Sequence, residues 1–331
     1  MLIIGHAAVR QILAGRERDL IDEVRNAYLT HHEGRSVVPR SSFLRLPEHP
    51  RDRIIALPAY LGGEDPAAGI KWISSFPGNV AAGLDRASAV VVLNSLTTGR
   101  PEALIEGSLI SAKRTAASAA LAATLVTDSC EGVGLIGCGV INLEVLRFLA
   151  AVYPLSEVAV FDTDPHRAEA FVDRCAALVP SAKVIAVADP AEAVGRHPLV
   201  SIATTAATPH MTLQACAPGA VVLHVSLRDL TADTILNSHN VVDDADHVCR
   251  EATSLHLAEQ EVGDRRFITA AIGELIAGTA TVRPDAARPT VFSPFGLGML
   301  DIALAKFVRT VAEERGLGLP VTDFLPGPIP S

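Results

Sequence analysis

The sequence predicts an α/β protein, a doubly wound parallel sheet joined to a discontinuous α+β domain. Three observations carry this expectation. From Gly132 onward, apolar runs at 133–136, 158–161, 183–187, 199–203 and 220–225 alternate with helix-like stretches, the rhythm of parallel strands joined by crossover helices. The first run closes on the glycine turn Gly137-Cys138-Gly139, and the second on Asp162, which is the order of a Rossmann-type dinucleotide-binding βαβ unit. Residues before 130 show no such alternation, and a last helical stretch near 298–314 follows the sheet. These shifts divide the chain into residues 1–129 with 294–331 and residues 130–293.

The elements follow in order. Leu20, Ile21, Val24, Ala27 and Tyr28 recur at helical spacing over 17–33, with Gly34 as a stop. Short β-like runs come next at Ser36–Leu46, Arg53–Tyr60, Ile70–Ser75 and Ala89–Asn94, then a hairpin turn at Thr97–Pro101. Ser108 to Val126 reads as a helix of small residues that packs closely on a neighbour. Val241-Val242 and Thr290-Val291-Phe292 are expected as edge strands of the parallel sheet. The tail with Pro320, Pro326, Pro328 and Pro330 is expected to be loose.

The glycine turn has a specific chemistry. Gly137 makes the tight turn, and Gly139 lets backbone approach a pyrophosphate with no Cβ in the way. The helix beginning at Val140 and Ile141 offers free N–H groups and a positive dipole end to the phosphates. The third glycine of the usual pattern is replaced by Asn142. Asp162 is placed to accept hydrogen bonds from a ribose diol and would repel a 2′-phosphate, so NAD is expected over NADP.

Composition excludes several classes. Hydrophobic residues make up 49% of the 331 residues and charged residues 20%, enough for a large core and against wholesale disorder. A net charge of −9 without a basic stripe argues against nucleic acid as a partner. Met1–His6 has no basic start, and the most apolar run, Ala116–Val126, is too short to span a bilayer. Five widely spaced cysteines with no CxxC pair are expected as free thiols of a cytoplasmic protein.

A few residues carry possible chemistry. Asp229 follows the run 220–225, at the end of the sheet where ligands bind; it is a catalytic carboxylate or a helix N-cap. Lys71 sits inside an apolar β run and faces either solvent or a cavity. Arg114, before an alanine-rich helix, makes either a surface salt bridge or a bidentate pair with a carboxylate or phosphate. Arg40, after Pro39, is equally open. Asp243-Asp244-Ala245-Asp246-His247, with Cys249 and His256, lacks metal-ligand spacing and reads as a solvated helix start. His31-His32 reads as a favourable dipole contact at a helix end.

Several segments together resemble the ornithine cyclodeaminase/μ-crystallin family: Gly69-Ile70-Lys71, Thr98-Gly99-Arg100-Pro101, Ser111–Ala117, the glycine turn, Asp162, Asp229 and Pro294-Phe295-Gly296. The resemblance spans nearly the whole chain. It implies an NAD-binding domain and a split domain that binds substrate and forms a homodimer. By motif match, Arg40 and Lys71 hold a substrate carboxylate, and Lys71 also helps deprotonate an amine. Arg114 lies between substrate and cofactor, and Asp229 is the catalytic acid. Thr205 contacts the nicotinamide side, and Ser226, Phe295 and Gly296 belong to the cofactor site. Cyclodeaminases of the family carry Gly-Asp-Cys-Pro-Gly-Lys around the acid, whereas this chain has Leu227-Arg228-Asp229-Leu230-Thr231. The lysine is absent and Arg228 adds a charge suited to a substrate with more carboxylates.

Lys71–Asn79, Leu84–Ala89 and Pro294–Gly298 resemble the branch of the family that releases L-2,3-diaminopropionate and 2-oxoglutarate from an amine-linked conjugate. That branch implies a pathway in siderophore or peptide natural-product synthesis, and a PLP-dependent synthase as the source of the substrate. Ornithine cyclisation, alanine dehydrogenation or ketimine reduction, and turnover-free binding of a nucleotide and small ligand are the alternatives.

Overall fold

The structure is a computed structural model that describes residues 1–327. The chain divides into two compact units, Met1–Arg114 with the residues from Leu297 on, and Thr115–Gly296. The sequence places these divisions at 129/130 and 293/294. In the structure the first falls inside a single unbroken helix, which no composition shift marks.

In chain order the first unit contains β1 (Leu2–Ile4), α1 (His6–Leu13), α2 (Glu17–His32), β2 (Ser36–Val37), β3 (Ser42–Leu46), β4 (His49–Leu61), β5 (Ala67–Ser75), a 3₁₀ turn (Pro77–Ala82), β6 (Ala87–Asn94) and β7 (Pro101–Glu106). Helix α3 (Ser108–Val126) crosses the division. The second unit holds β8 (Gly132–Ile136), α4 (Val140–Val152), β9 (Glu157–Phe161), α5 (Pro165–Leu178), β10 (Lys183–Ala186), α6 (Pro190–Gly195), β11 (Leu199–Ile202) and β12 (Val221–His224). It continues through α7 (Ala232–Leu236), β13 (His239–Val242), α8 (Ala245–Val248), α9 (Ser254–Val262), β14 (Ile268–Ala271), α10 (Ile272–Ala277) and β15 (Thr290–Ser293). The first unit is completed by α11 (Gly298–Glu314) and β16 (Leu319–Pro320).

The first unit is built on a sheet of order β16-β1-β7-β6-β5-β4-β2, with β3 added to β4. Pairing is antiparallel apart from β1 with β7. Side chains alternate across β5, so Lys71 lies on the buried face and Trp72 on the open one. Helix α11 covers the buried face; Leu300, Ile302, Leu304 and Val308 are fully buried. Gly298 begins this helix close to β4, where an added Cβ would come 3.0 Å from Leu57 O. Pro320, expected in a loose tail, instead pairs with Leu2; Pro328 and Pro330 lie outside the described residues. The short β1 and β7 were not expected, because three to six residues carry too little alternation to stand out.

The second unit is an all-parallel sheet of order β10-β9-β8-β11-β12-β15-β13-β14. Every residue of β8, β11, β12 and β15 is buried, as covering both faces requires. Winding reverses between β8 and β11, which makes a crevice at their carboxyl ends. The expected edge strands β13 and β15 are interior; the edge is β14, whose Ile268-Thr269-Ala270-Ala271 is too short and mixed to read from sequence. No helix among the described residues is long and apolar enough to cross a membrane.

Candidate active site

In the second unit the crevice is shaped first by glycine. Gly137 adopts φ +93°, and a Cβ there would lie 2.5 Å from Ala203 O at the exit of β11. Only glycine meets both demands. Gly139 is the N-cap of α4, with no side chain capping the helix and open space where a Cβ would stand. The N–H groups of Val140 and Ile141 thus begin a helix free to receive an anion. Asn142 is wholly buried. Its amide donates to Ile136 O at 2.8 Å and Gly137 O at 2.7 Å, and its oxygen accepts from Ser201 Oγ at 2.7 Å. It ties β8 to β11 in place of the third glycine.

Asp162 ends β9. Its Oδ2 accepts from Cys138 N of the glycine turn at 2.9 Å, and Oδ1 from Asp164 N at 3.1 Å. Each oxygen keeps a second lone pair for a ribose hydroxyl. The residues thus fit a dinucleotide: a Cβ-free approach, an uncapped helix start and an acid beside the turn.

Asp229 is fully buried. Thr204 and Ser226 donate their hydroxyls to Oδ1 and Oδ2, and His224 Nε2 lies 3.4 Å from Oδ2. Burial pushes the Asp229 carboxyl up, but the adjacent His224 ring and the hydroxyls of Ser226 and Thr204 outweigh it and hold the group below the usual aspartate range. His224, also fully buried, is pushed down by burial against the pull of Asp229, and its Nδ1 lies 3.2 Å from Ser293 Oγ. The Asp229 amide N–H donates to His224 Nε2 at 3.3 Å, so in the neutral ring Nδ1 carries the proton and donates to Ser293 Oγ. Asp229 is therefore an ionised acid held by neutral donors. It is not a helix cap: Thr231 caps α7.

The loop carrying Asp229 is strained. Leu227 is buried at φ +70°, a left-handed conformation costing about 1–2 kcal/mol for such a residue. Arg228 donates to Glu251 O at 3.2 and 2.8 Å from Nε and Nη2, a tether to another left-handed segment, Glu251-Ala252. Thr205 is exposed. Asp243, expected in a solvated helix start, is buried instead: Phe295 N and Gly296 N donate to its Oδ1 and Oδ2 at 2.9 and 2.7 Å. Its neighbour Asp244 caps α8.

The first unit holds a separate charged set. Lys71 is 1% exposed; its Nζ lies 2.6 Å from Asp301 Oδ2 and donates to Ser111 Oγ at 3.2 Å. Arg114, 9% exposed, approaches Asp301 Oδ1 through Nε at 3.3 Å. These placements remove the solvent-facing reading of Lys71 and the surface reading of Arg114. Burial pushes the Lys71 pKa down to about 8; Asp301 raises it and Arg114 lowers it further. Arg40 is exposed in the link between β2 and β3, and the structure shows no contact between it and Lys71.

Sequence reading missed Asp301, His224 and Thr204. Asp301 had a visible signal, a lone acid in the apolar run Met299-Leu300-Asp301-Ile302-Ala303, since an unpaired charge is rarely buried. His224 had a weaker one, closing the buried run Val221-Val222-Leu223.

The chain is 30% identical over 326 residues to N-((2S)-2-amino-2-carboxyethyl)-L-glutamate dehydrogenase of Staphylococcus aureus, covering 96% of this chain and 97% of the relative. It superposes on Thermococcus litoralis Δ1-pyrroline-2-carboxylate reductase in complex with NADH and L-proline with a TM-score of 0.91 and 27% identity, covering 97% and 100% of the two chains. An archaeal alanine dehydrogenase dimer with bound NAD gives 0.88 at 25% identity, covering 98% and 99%. The profile of the ornithine cyclodeaminase/mu-crystallin family matches residues 7–316, and the chain belongs to that family.

Proposed function

We propose that this protein carries out NAD-dependent oxidative hydrolysis of N-(2-amino-2-carboxyethyl)-L-glutamate to L-2,3-diaminopropionate and 2-oxoglutarate. At the coarser level the chain is an NAD-dependent oxidoreductase acting on an amino-acid C–N bond. One observation carries this reading: a buried, ionised Asp229 stands at the carboxyl ends of the strands that form the dinucleotide crevice. The substrate follows from similarity to the staphylococcal enzyme along 96% of the chain.

NAD⁺, when bound, supplies a hydride acceptor. The protein does the rest. Oxidation at the glutamate α-carbon needs a neutral amine, because the nitrogen lone pair drives hydride loss; Lys71, with a pKa near 8, takes that proton. The product of oxidation is a substrate imine. Asp229 orients the water that adds to it, and the resulting carbinolamine collapses to the amine and the 2-oxo acid. One substrate, one NAD⁺ and one water give diaminopropionate, 2-oxoglutarate, NADH and a proton. Arg40, Lys71 and Arg114 offset substrate carboxylates. Gly137, Gly139, Val140, Ile141 and Asp162 hold the nucleotide, with Thr205 on its nicotinamide side and Ser226, Phe295 and Gly296 also in the cofactor site. Arg228 keeps its loop in register through Glu251.

A homodimer fits the first unit. Val37, Leu44, Tyr60, Trp72 and Val90 are 37–58% exposed and share the open face of the sheet by their register, a patch that a second copy would cover. The free thiols suit a reducing cytoplasm, and a PLP-dependent synthase would supply the conjugate for a siderophore or peptide product.

Incubation with NAD⁺ and the conjugate, with NADH followed by absorbance and products by mass, tests the assignment. The expected products are diaminopropionate and 2-oxoglutarate, with no proline from ornithine. Proline from ornithine, or NADH from alanine alone, would replace the substrate and leave the cofactor reading standing.

A further inference from the structure

The face of the first unit's sheet that carries Lys71 holds a second cationic set. Lys71, Ile73 and Ser75 alternate onto that side of β5. Arg53 on β4 lies directly opposite Ser75, so it shares the face. Arg86, immediately before β6, donates from Nη1 to Ser75 Oγ at 3.3 Å. Four residues of strand separate Ser75 from Lys71, roughly 13 Å.

Arg86 is half-buried, and burial and the nearby Arg53 charge both push its pKa down. Among the described residues no carboxylate pairs with its guanidinium, which donates to a neutral hydroxyl. A guanidinium drawn out of water beside a second one is destabilising unless an anion compensates it. The planar fork of arginine takes a carboxylate through two parallel bonds. Ser75 Oγ accepts from Arg86, and its own O–H remains to donate.

We propose that Arg86, with Ser75 and Arg53, forms a second anion subsite that takes the side-chain carboxylate of the substrate's glutamate half. The proposal rests on the reading above that the substrate carries several carboxylates. Lys71 and Arg114 are already matched in part by Asp301, so a further carboxylate needs further positive charge, and this set supplies it on the same sheet face.

The test is calorimetric binding of 2-oxoglutarate and of 2-oxopentanoate, which differ by that one carboxylate, to the NADH-loaded protein. Wild type is expected to bind the dicarboxylate at least tenfold more tightly. Arg86→Gln should erase that preference without weakening 2-oxopentanoate. Arg86→Lys should keep part of it, since the charge stays and the fork is lost. Equal affinities in wild type, or an undiminished preference in Arg86→Gln, would overturn the subsite. Should Arg86→Gln fail to fold, Arg86→Lys and Ser75→Ala carry the same comparison. Turnover of the conjugate is measured beside it. No NADH from the conjugate, with the preference present in wild type and lost in Arg86→Gln, removes the substrate assignment and keeps the subsite; normal turnover with no preference does the reverse.

Discussion

The two units each bury a charged group, and they stabilise it in opposite ways. Around Lys71 the first unit places a counter-charge, Asp301, and then shares that counter-charge with Arg114. Around the Asp229 carboxylate, among the described residues, stand the hydroxyls of Thr204 and Ser226 and the His224 ring rather than a lysine or arginine. Burial brings Lys71 down to about 8; Asp301 raises it and Arg114, on the same acid, lowers it further. The second keeps Asp229 ionised, because the two hydroxyls and the His224 ring favour the charged form over the cost of burial. Proton exchange and charge retention thus come from different surroundings.

The largest effect should come from breaking the first arrangement. Asp301→Asn removes the acid that Lys71 pairs with in the buried face, and it should cost about 3–5 kcal/mol in denaturant unfolding. It should also push the Lys71 pKa still lower, moving the rising limb of the pH–rate profile to lower pH. A stable Asp301→Asn variant with an unchanged profile would show that the ion pair does not set the lysine.

Asp229→Asn attacks the second arrangement. It should keep NAD affinity and a cooperative melt and lose at least ~10²-fold in turnover, the scale of a positioned acid–base group. Near-normal turnover would leave the buried carboxylate with a structural task alone.

The pH dependence separates the two groups. Turnover should rise about tenfold per unit below pH 8 and level above it, as Lys71 becomes neutral. Stability follows linkage. The folded Lys71 pKa, about 8, lies below its ordinary 10.5, so the unfolded chain binds more protons between those values. This group's contribution to stability therefore rises with pH across the window and is lost on descending through it. Asp229 acts at the acid end. Its depressed pKa gives a contribution that is complete above the ordinary aspartate range and disappears as pH falls through the lowered value. A turnover profile flat from pH 6 to 9 would rule out Lys71 as the base.

The smallest effect concerns the nucleotide. With Asp162 beside the glycine turn, NAD should bind at least ~10-fold more tightly than NADP, about 1.4 kcal/mol. Equal affinities by titration would mean that Arg167, 3.8 Å from Asp162 Oδ2, neutralises the acid.

What the sequence determined by itself is the part of the protein set by local rules. The apolar runs ending at Ile136 and Phe161, the glycines at 137 and 139 and the acid at 162 set strand, turn and the acid beside the turn within thirty residues of one another. Helix α3, a run of small residues, and the final helix were also legible in the sequence. Tertiary structure decided whatever depends on a partner far along the chain. Lys71 and Asp301 are 230 residues apart, and nothing near Lys71 says whether its ammonium meets water or a carboxylate. β15 joins the sheet between β12 and β13, an order that no local pattern encodes. Asn142 was legible as a defect in a glycine pattern, yet its role needed Ser201, a neighbour only after β8 and β11 pair. Local chemistry is written in consecutive residues; the charge state of a buried group is written in whichever residues folding brings against it.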